Sequence, residues 1–153
     1  MKFEEFKKNL QDRDEENEEY IKFKRSFDNY EKIIIIGNGG SNAIASHISQ
    51  DYTKKNNKMA FTFSDPSRLT CYINDYGRDD AYAKFLQQFS DNQTLVILIS
   101  SSGNSMNVIN CAQFCKKENI SFGILTGFSA NNSLRNQFSM HAKFDYHVNS
   151  DDY

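Results

Sequence analysis

No apolar run in this sequence approaches the ~20 residues needed to cross a bilayer, and the opening MKFEEFKKNLQDRDEE lacks the apolar core of a secretion signal. The chain therefore reads as cytoplasmic, with no membrane partner. An excess of one charge is also missing: 18 Lys and Arg against 20 Asp and Glu leave a formal net charge of -2. Nucleic acid would favour a basic face, so it is set aside as a partner. Cysteine is scarce, at three, and Cys71, Cys111 and Cys115 form no CxxC pair, which argues against a disulfide framework or a zinc ribbon. Cys111 and Cys115, four apart on an expected helix, read as small buried residues on one face. Pro66 is the single proline, and neither a repeat nor a low-complexity linker divides the chain. What is present is a hydrophobic content of 39% and an aromatic content of 14% over 153 residues, enough for one domain with its own core.

Residues 1–30 are dense in charge of both signs, and Phe3, Phe6 and Leu10, then Tyr20, Phe23 and Phe27, recur at helical spacing. A helix is expected at each end of this segment, with QDRDEENEE between them as a solvated face or a break. Five apolar runs follow, KIIIIG (32–37), KMAFTF (58–63), TLVILIS (94–100), ISFGILTG (120–127) and KFDYHV (143–148), each rich in β-branched or aromatic residues. They predict five strands, with helices over 42–53, 79–89 and 104–118. The first and third runs are apolar at every position rather than alternating, as strands of a parallel sheet covered on both faces must be.

In such a fold, ligands sit beyond the carboxyl ends of the strands, where loops lead into helix N-termini. Two unusual loops fall there: GNGGSNA (37–43) after the isoleucine run and SSSGNSMN (100–107) after LVILI. Glycine allows close backbone approach, a helix start offers N–H groups and a partial positive charge, and serine hydroxyls add donors, which together suit an anion. A bare turn needs one or two such residues, not six. The dinucleotide fingerprint fails because Asn42 stands where glycine or alanine is needed, and neither loop has the Gly-Lys pair of a Walker A motif. His47 and Asp51 lie four apart on the helix after the first loop, so both side chains can act on one ligand or one metal ion.

These stretches carry a resemblance. IIIIGNGGSNAIASHISQD, LTCYINDYGRDDAYAKFLQQF and VILISSSGNSMNVINCAQFCKKENISFGILTG are similar, in this order, to the signature regions of sugar isomerase (SIS) domains, and more narrowly to those of the phosphoheptose isomerases. That family interconverts sedoheptulose 7-phosphate and glycero-manno-heptose 7-phosphate for surface polysaccharide such as lipopolysaccharide or capsule. The resemblance spans roughly residues 30–150. It implies that Ser100, Ser101, Ser102 and Ser105 bind the sugar phosphate, that Asn38, Gly39, Gly40 and Ser41 close over the substrate, and that Asn74 and Asp75 contact it. It further implies Asp51 as the proton-transfer base with His47 beside it, and zinc held by His47 and Asp51 together with a glutamine and a histidine from a C-terminal helix. Here the family's usual glutamate is Asp51, one methylene shorter, and HVNSDDY ends where that C-terminal helix begins in the family.

The expected architecture is a three-layer α/β/α domain over residues 31–153, with a five-stranded, parallel, flavodoxin-like sheet, and an N-terminal helical extension over 1–30. The family packs such extensions between subunits, which implies a homo-oligomer, dimer or tetramer. The expected function is binding of a phosphorylated sugar and its aldose–ketose isomerisation through an enediolate. The alternative is a non-catalytic SIS module that keeps the phosphate cradle as a binding or regulatory adaptor.

Overall fold

A computed structural model describes residues 17–149. In chain order the elements are α1 (Glu18–Asn29), β1 (Lys32–Gly37), α2 (Gly40–Asn56), β2 (Met59–Thr62), α3 (Pro66–Tyr76), α4 (Ala81–Phe89), β3 (Thr94–Ser100), α5 (Met106–Lys117), β4 (Ser121–Thr126), α6 (Ser133–Phe138), a 3-10 turn (Ser139–His141) and β5 (Asp145–His147). The strands form one sheet in the order β2-β1-β3-β4-β5, every pair parallel. β1 and β3 lie side by side, with Ile35 opposite Ile97, and Ile33–Ile36 and Leu95–Leu98 are sealed from solvent. Two adjacent strands apolar on both faces need cover on both sides, and the helices supply it.

One face, carrying Ile34, Ile36, Val96, Leu98, Phe122 and Ile124, packs against α4, α5 and α6. Phe85 of α4 stacks on Phe63 with ring centres 4.4 Å apart. Each such buried ring contributes about 1.5–3 kcal/mol of transfer free energy. The other face, with Ile33, Ile35, Leu95 and Ile97, is covered by α1 and α2. α1 is the second of the two helices expected at the N-terminal end. Asn17 caps it by accepting from the Glu19 and Tyr20 amides, Phe27 packs 4.6 Å from Tyr52, and Phe23 meets Phe144 at 5.0 Å. The Glu19 carboxylate accepts the Asp145 N–H at 2.7 Å, fastening α1 to the edge strand β5. The helix expected around Phe3, Phe6 and Leu10 lies outside the described residues.

Two helices have no counterpart in the sequence reading. α3 buries none of its residues fully and touches the core only through Leu69 and Tyr72, although its apolar residues gather on one face. Its start is nonetheless encoded: Asp65 accepts the Arg68 amide at 2.8 Å, and Pro66 occupies the first turn, where its missing N–H is harmless. α6 spans only six residues, too few for a period, and is capped by Asn132. Among the described residues, no helix is long and apolar enough to cross a membrane.

Strand order reverses between β1 and β3, because β1 continues sideways to β2 while β3 continues to β4. At such a switch point the loops leaving the two strands turn to opposite faces of the sheet and open a crevice between them.

Candidate functional site

A cavity of about 510 Å³ fills this crevice. On one side, β1 ends in Gly37, where a Cβ would stand 2.7 Å from the Cβ of Ser41, so glycine lets α2 begin directly against the strand. On the other side, β3 ends in Ser100, and α5 begins after Ser105. Gly40, Ser41 and Ser105 all line the cavity, so the starts of α2 and α5 both open onto it. Neither start is capped by a side chain, nor is that of α4, whereas α1, α3 and α6 are capped by Asn17, Asp65 and Asn132. Ser105 has the extended backbone of a capping residue and makes no cap bond, which leaves its hydroxyl to the cavity.

The serine loop is held by its own backbone. The Gly103 amide donates to the Ser100 hydroxyl and the Asn104 amide to the Ser102 hydroxyl, both at 3.2 Å. A hydroxyl that accepts in this way keeps its own proton to donate. Gly103 sits at φ +63°, and a Cβ there would lie 2.1 Å from the Asn132 side-chain oxygen, so the loop closes only with glycine. The two loops are joined by a reciprocal amide pair, Asn38 to Asn107 at 3.0 Å and back at 2.8 Å. Thr126, at the end of β4 and in register with Ser100, adds a third strand end to the wall. Ile44, Ile99, Leu125 and Val148 form apolar parts of the lining, and no ionisable side chain is among the described residues that line the cavity. A tetrahedral oxyanion fits this chemistry: hydroxyl donors, two helix starts and close backbone, with no cation.

Of the residues singled out from sequence, Asn38, Gly40, Ser41, Ser100, Ser101, Ser102 and Ser105 line this one cavity, and Gly39 sits beside them at the start of α2. His47 and Asp51 do not line it. They stand further along α2, about 4.5 and 10 Å of helix rise beyond Ile44, with His47 Nε2 3.7 Å from an Asp51 oxygen and Lys55 competing for that oxygen at 3.3 Å. The His47 side chain is 81% exposed. Asn74 and Asp75 lie exposed at the end of α3, away from the cavity lining. Asn74 donates to Asp75 at 3.0 Å, and Asp75 accepts from the Cys71 thiol at 3.5 Å, which holds that thiol above its ordinary range. Burial raises the Cys111 thiol well above its usual range and the Cys115 thiol to about 12, as expected of inert core cysteines.

Zinc needs four ligands in a closed site and three in an open one. Among the described residues, no three His, Cys, Asp or Glu side chains come together, so the pair on α2 does not form a zinc site by itself. His141 is in the 3-10 turn, and His147 on β5 meets Thr126. Asn107 and Thr126 escaped the sequence reading. Asn107, in the first turn of α5, meets the first loop only through a contact between distant segments, and Thr126 carries no local signal. A wider groove of about 870 Å³ lies at the opposite ends of the strands, where Lys32 is already paired with Asp91 at 2.9 Å.

The parallel sheet with these paired loops at its switch point matches the sugar isomerase (SIS) fold of solved relatives. More particularly, the chain is phosphoheptose isomerase-like. Over 111 residues, 69% of its length, it is 34% identical to the phosphoheptose isomerase of Buchnera aphidicola, covering 58% of that protein. Over 94 residues, 58% of its length, it is 37% identical to the phosphoheptose isomerase of Fusobacterium nucleatum, covering 48% of that protein. Among solved structures, the phosphoheptose isomerase GmhA from Neisseria gonorrhoeae superposes with a TM-score of 0.71 at 29% identity, over 78% of this chain and 64% of that one. The chain thus spans roughly half the length of the curated relatives it matches. No family model matches it.

Proposed function

We propose that this chain binds a phosphorylated sugar and interconverts its ketose and aldose forms, with sedoheptulose 7-phosphate as the substrate to which the similarity points. The observation that carries the proposal is the convergence of two helix starts without side-chain caps and the serine loop on one cavity. Each hydroxyl or amide donated to a phosphate oxygen contributes about 1.5–3 kcal/mol, and the cradle holds several. Phosphate bound there anchors one end of the substrate, and a seven-carbon chain leads its carbonyl end away from the serine loop. Isomerisation through an enediolate then requires a base for the carbon-bound proton and a group to manage the proton on oxygen. Asp51 is the proposed base and His47 its partner, since they share one face of the helix that begins at the cradle. Zinc at this pair would require ligands beyond the described residues, and would polarise the carbonyl oxygen. Assembly as a dimer or tetramer belongs to the same proposal, and exposed Ile44 and Val148 on the cavity lining, with exposed Met106 next to Ser105, are apolar surface of the kind that subunit contacts cover.

A second reading, a phosphosugar-binding module without turnover, is favoured by one fact: no ionisable side chain is among the described residues of the cavity lining. One pair of measurements separates the two. Calorimetric titration with sedoheptulose 7-phosphate reads binding, and single-turnover kinetics, with and without added zinc, read isomerisation. Under the isomerase reading, Asp51→Asn leaves phosphate affinity nearly intact and lowers turnover by ~10²-fold or more. Binding by the wild type without turnover in either condition establishes the module, and failure to bind any sugar phosphate defeats both readings.

A further inference from the structure

The register of the sheet lines up three side chains at its carboxyl edge. Ser100 of β3 is opposite Thr126 of β4, which is opposite His147 of β5. The first two line the cavity, and the third stands directly behind the second, with its Nδ1 2.9 Å from the Thr126 hydroxyl oxygen. The imidazole is half-buried: its Nε2 is sealed from solvent and lacks a hydrogen-bond partner of good geometry, with the Phe128 backbone beside the ring. The backbone around it is tied down, because the Val148 amide donates to the Thr126 carbonyl at 2.9 Å and the Gly127 amide to the Ser101 carbonyl at 3.0 Å. Neither Thr126 nor His147 has a part in the reaction set out above.

We propose that Thr126 is a further donor to the oxyanion held in this cavity and that His147, behind it, takes up a proton from solvent when that oxyanion binds. This rests on the phosphate-cradle reading and adds a residue and a proton to it. A neutral imidazole has one N–H and one bare nitrogen, so a bare Nδ1 draws the Thr126 proton towards itself and away from the cavity. In the imidazolium both nitrogens donate: the proton taken up sits on Nδ1 and points to the Thr126 oxygen, while Nε2–H, already present in the neutral ring, stays directed towards the Phe128 backbone. The Thr126 O–H must then turn elsewhere, and its open side is the cavity. The anion favours the charged ring in return, since opposite charges attract strongly where water is excluded.

The charged groups around the ring leave room for this change. Arg135 of α6 opposes protonation and Asp145 of β5 favours it, but these two are locked together at 2.9 Å, with the Asp145 amide held by Glu19 of α1. Burial, then Arg135, hold His147 below the ordinary histidine range, so the ring is neutral at physiological pH and has a proton to gain.

Inorganic sulfate is the probe, because it stays dianionic over the range in which imidazole titrates. The chain has only three histidines, so each ring Hε1 signal can be followed by NMR, with His147→Gln to assign the third. Saturating sulfate is expected to raise the His147 midpoint by about one unit, and by linkage sulfate then binds about tenfold more tightly below both midpoints than above them. Thr126→Val should bind sulfate several-fold more weakly and lose the midpoint shift, Thr126→Ser should keep both, and His147→Gln should bind with an affinity flat across this range. A His147 midpoint unmoved by saturating sulfate, or a Thr126→Val protein that binds and shifts like wild type, overturns the inference alone. Wild type that fails to bind sulfate or any sugar phosphate overturns the cradle and the inference together.

Discussion

Replacing Ser105 by alanine should separate ligand binding from stability, because the structure gives its hydroxyl one job and withholds the other. Ser105 stands at the start of α5 with φ -70° and ψ 116°, the posture of a capping residue, yet its side chain makes no cap bond. Where a serine does cap, alanine costs about 1 kcal/mol; here only a few tenths are at stake. The loss in binding is larger. A hydroxyl donated to a charged phosphate contributes about 1.5–3 kcal/mol, which at 1.4 kcal/mol per decade is a roughly 10- to 150-fold weaker Kd. The assay pairs calorimetric titration, using sedoheptulose 7-phosphate and its unphosphorylated counterpart, with thermal melts. Asp65→Ala is the control, because Asp65 does cap, accepting the Arg68 amide at 2.8 Å far along the chain from the serine loop. That variant should lose about 1 kcal/mol and roughly 2–4 °C of Tm without weakening the phosphosugar. If Ser105→Ala melts as low as the control while binding like wild type, Ser105 is a structural cap and the cradle reasoning fails.

Other variants probe the supporting frame. Gly103→Ala places a methyl group 2.1 Å from the Asn132 side-chain oxygen at φ +63°, so it should lose about 2 kcal/mol or more by differential scanning calorimetry and weaken phosphate binding as well. Gly40→Ala, with nothing within 4 Å of its Cβ, should melt close to wild type. For unliganded protein, His147 titrates lower folded than unfolded, so the unfolded chain binds more protons between the two midpoints and stability falls as pH drops through that window. His147→Gln should therefore lose less Tm than wild type between about pH 7.5 and 5.5, and an identical loss would remove His147 from the account. Asp75 raises the Cys71 thiol first by accepting its hydrogen bond and second by its charge, so Asp75→Asn should speed maleimide labelling of Cys71 at neutral pH, while Cys111 and Cys115 stay unlabelled in the native fold.

The parts legible in the sequence were those written in short-range pattern. Ile33–Ile36 and Leu95–Leu98 announced a doubly covered parallel sheet, and the composition of the loop at 100–105 singled out the serines that line the switch-point cavity, because both signals are local and strong. α3 was missed because Asn74, Asp75 and Gly77 read as turn formers at its end, although Asp65-Pro66 and the one-sided apolar residues were available clues. The rank of Ser100, Thr126 and His147 could not be read at all. It depends on which strands become neighbours and in what register, and no spacing along the chain encodes that. His47 and Asp51 were rightly expected to share a helix face, yet the sequence could not say how far that face stands from the cavity wall.

Under the phosphate-cradle proposal, the absence of ionisable side chains among the described residues of the cavity lining sets the physics of ligand capture. An anion that meets only hydroxyls, amides and helix starts, with His147 still neutral, gains little until it is within hydrogen-bonding distance, because dipole fields fall off far faster than the field of a charge. With a net charge of -2, the whole chain offers no long-range attraction either. Encounter is then ordinary diffusion, nearly indifferent to ionic strength, and selection happens after arrival through the match between tetrahedral oxygens and fixed donors. A site of this kind would sort anions by shape rather than by charge, favouring tetrahedral oxyanions over planar carboxylates of equal charge.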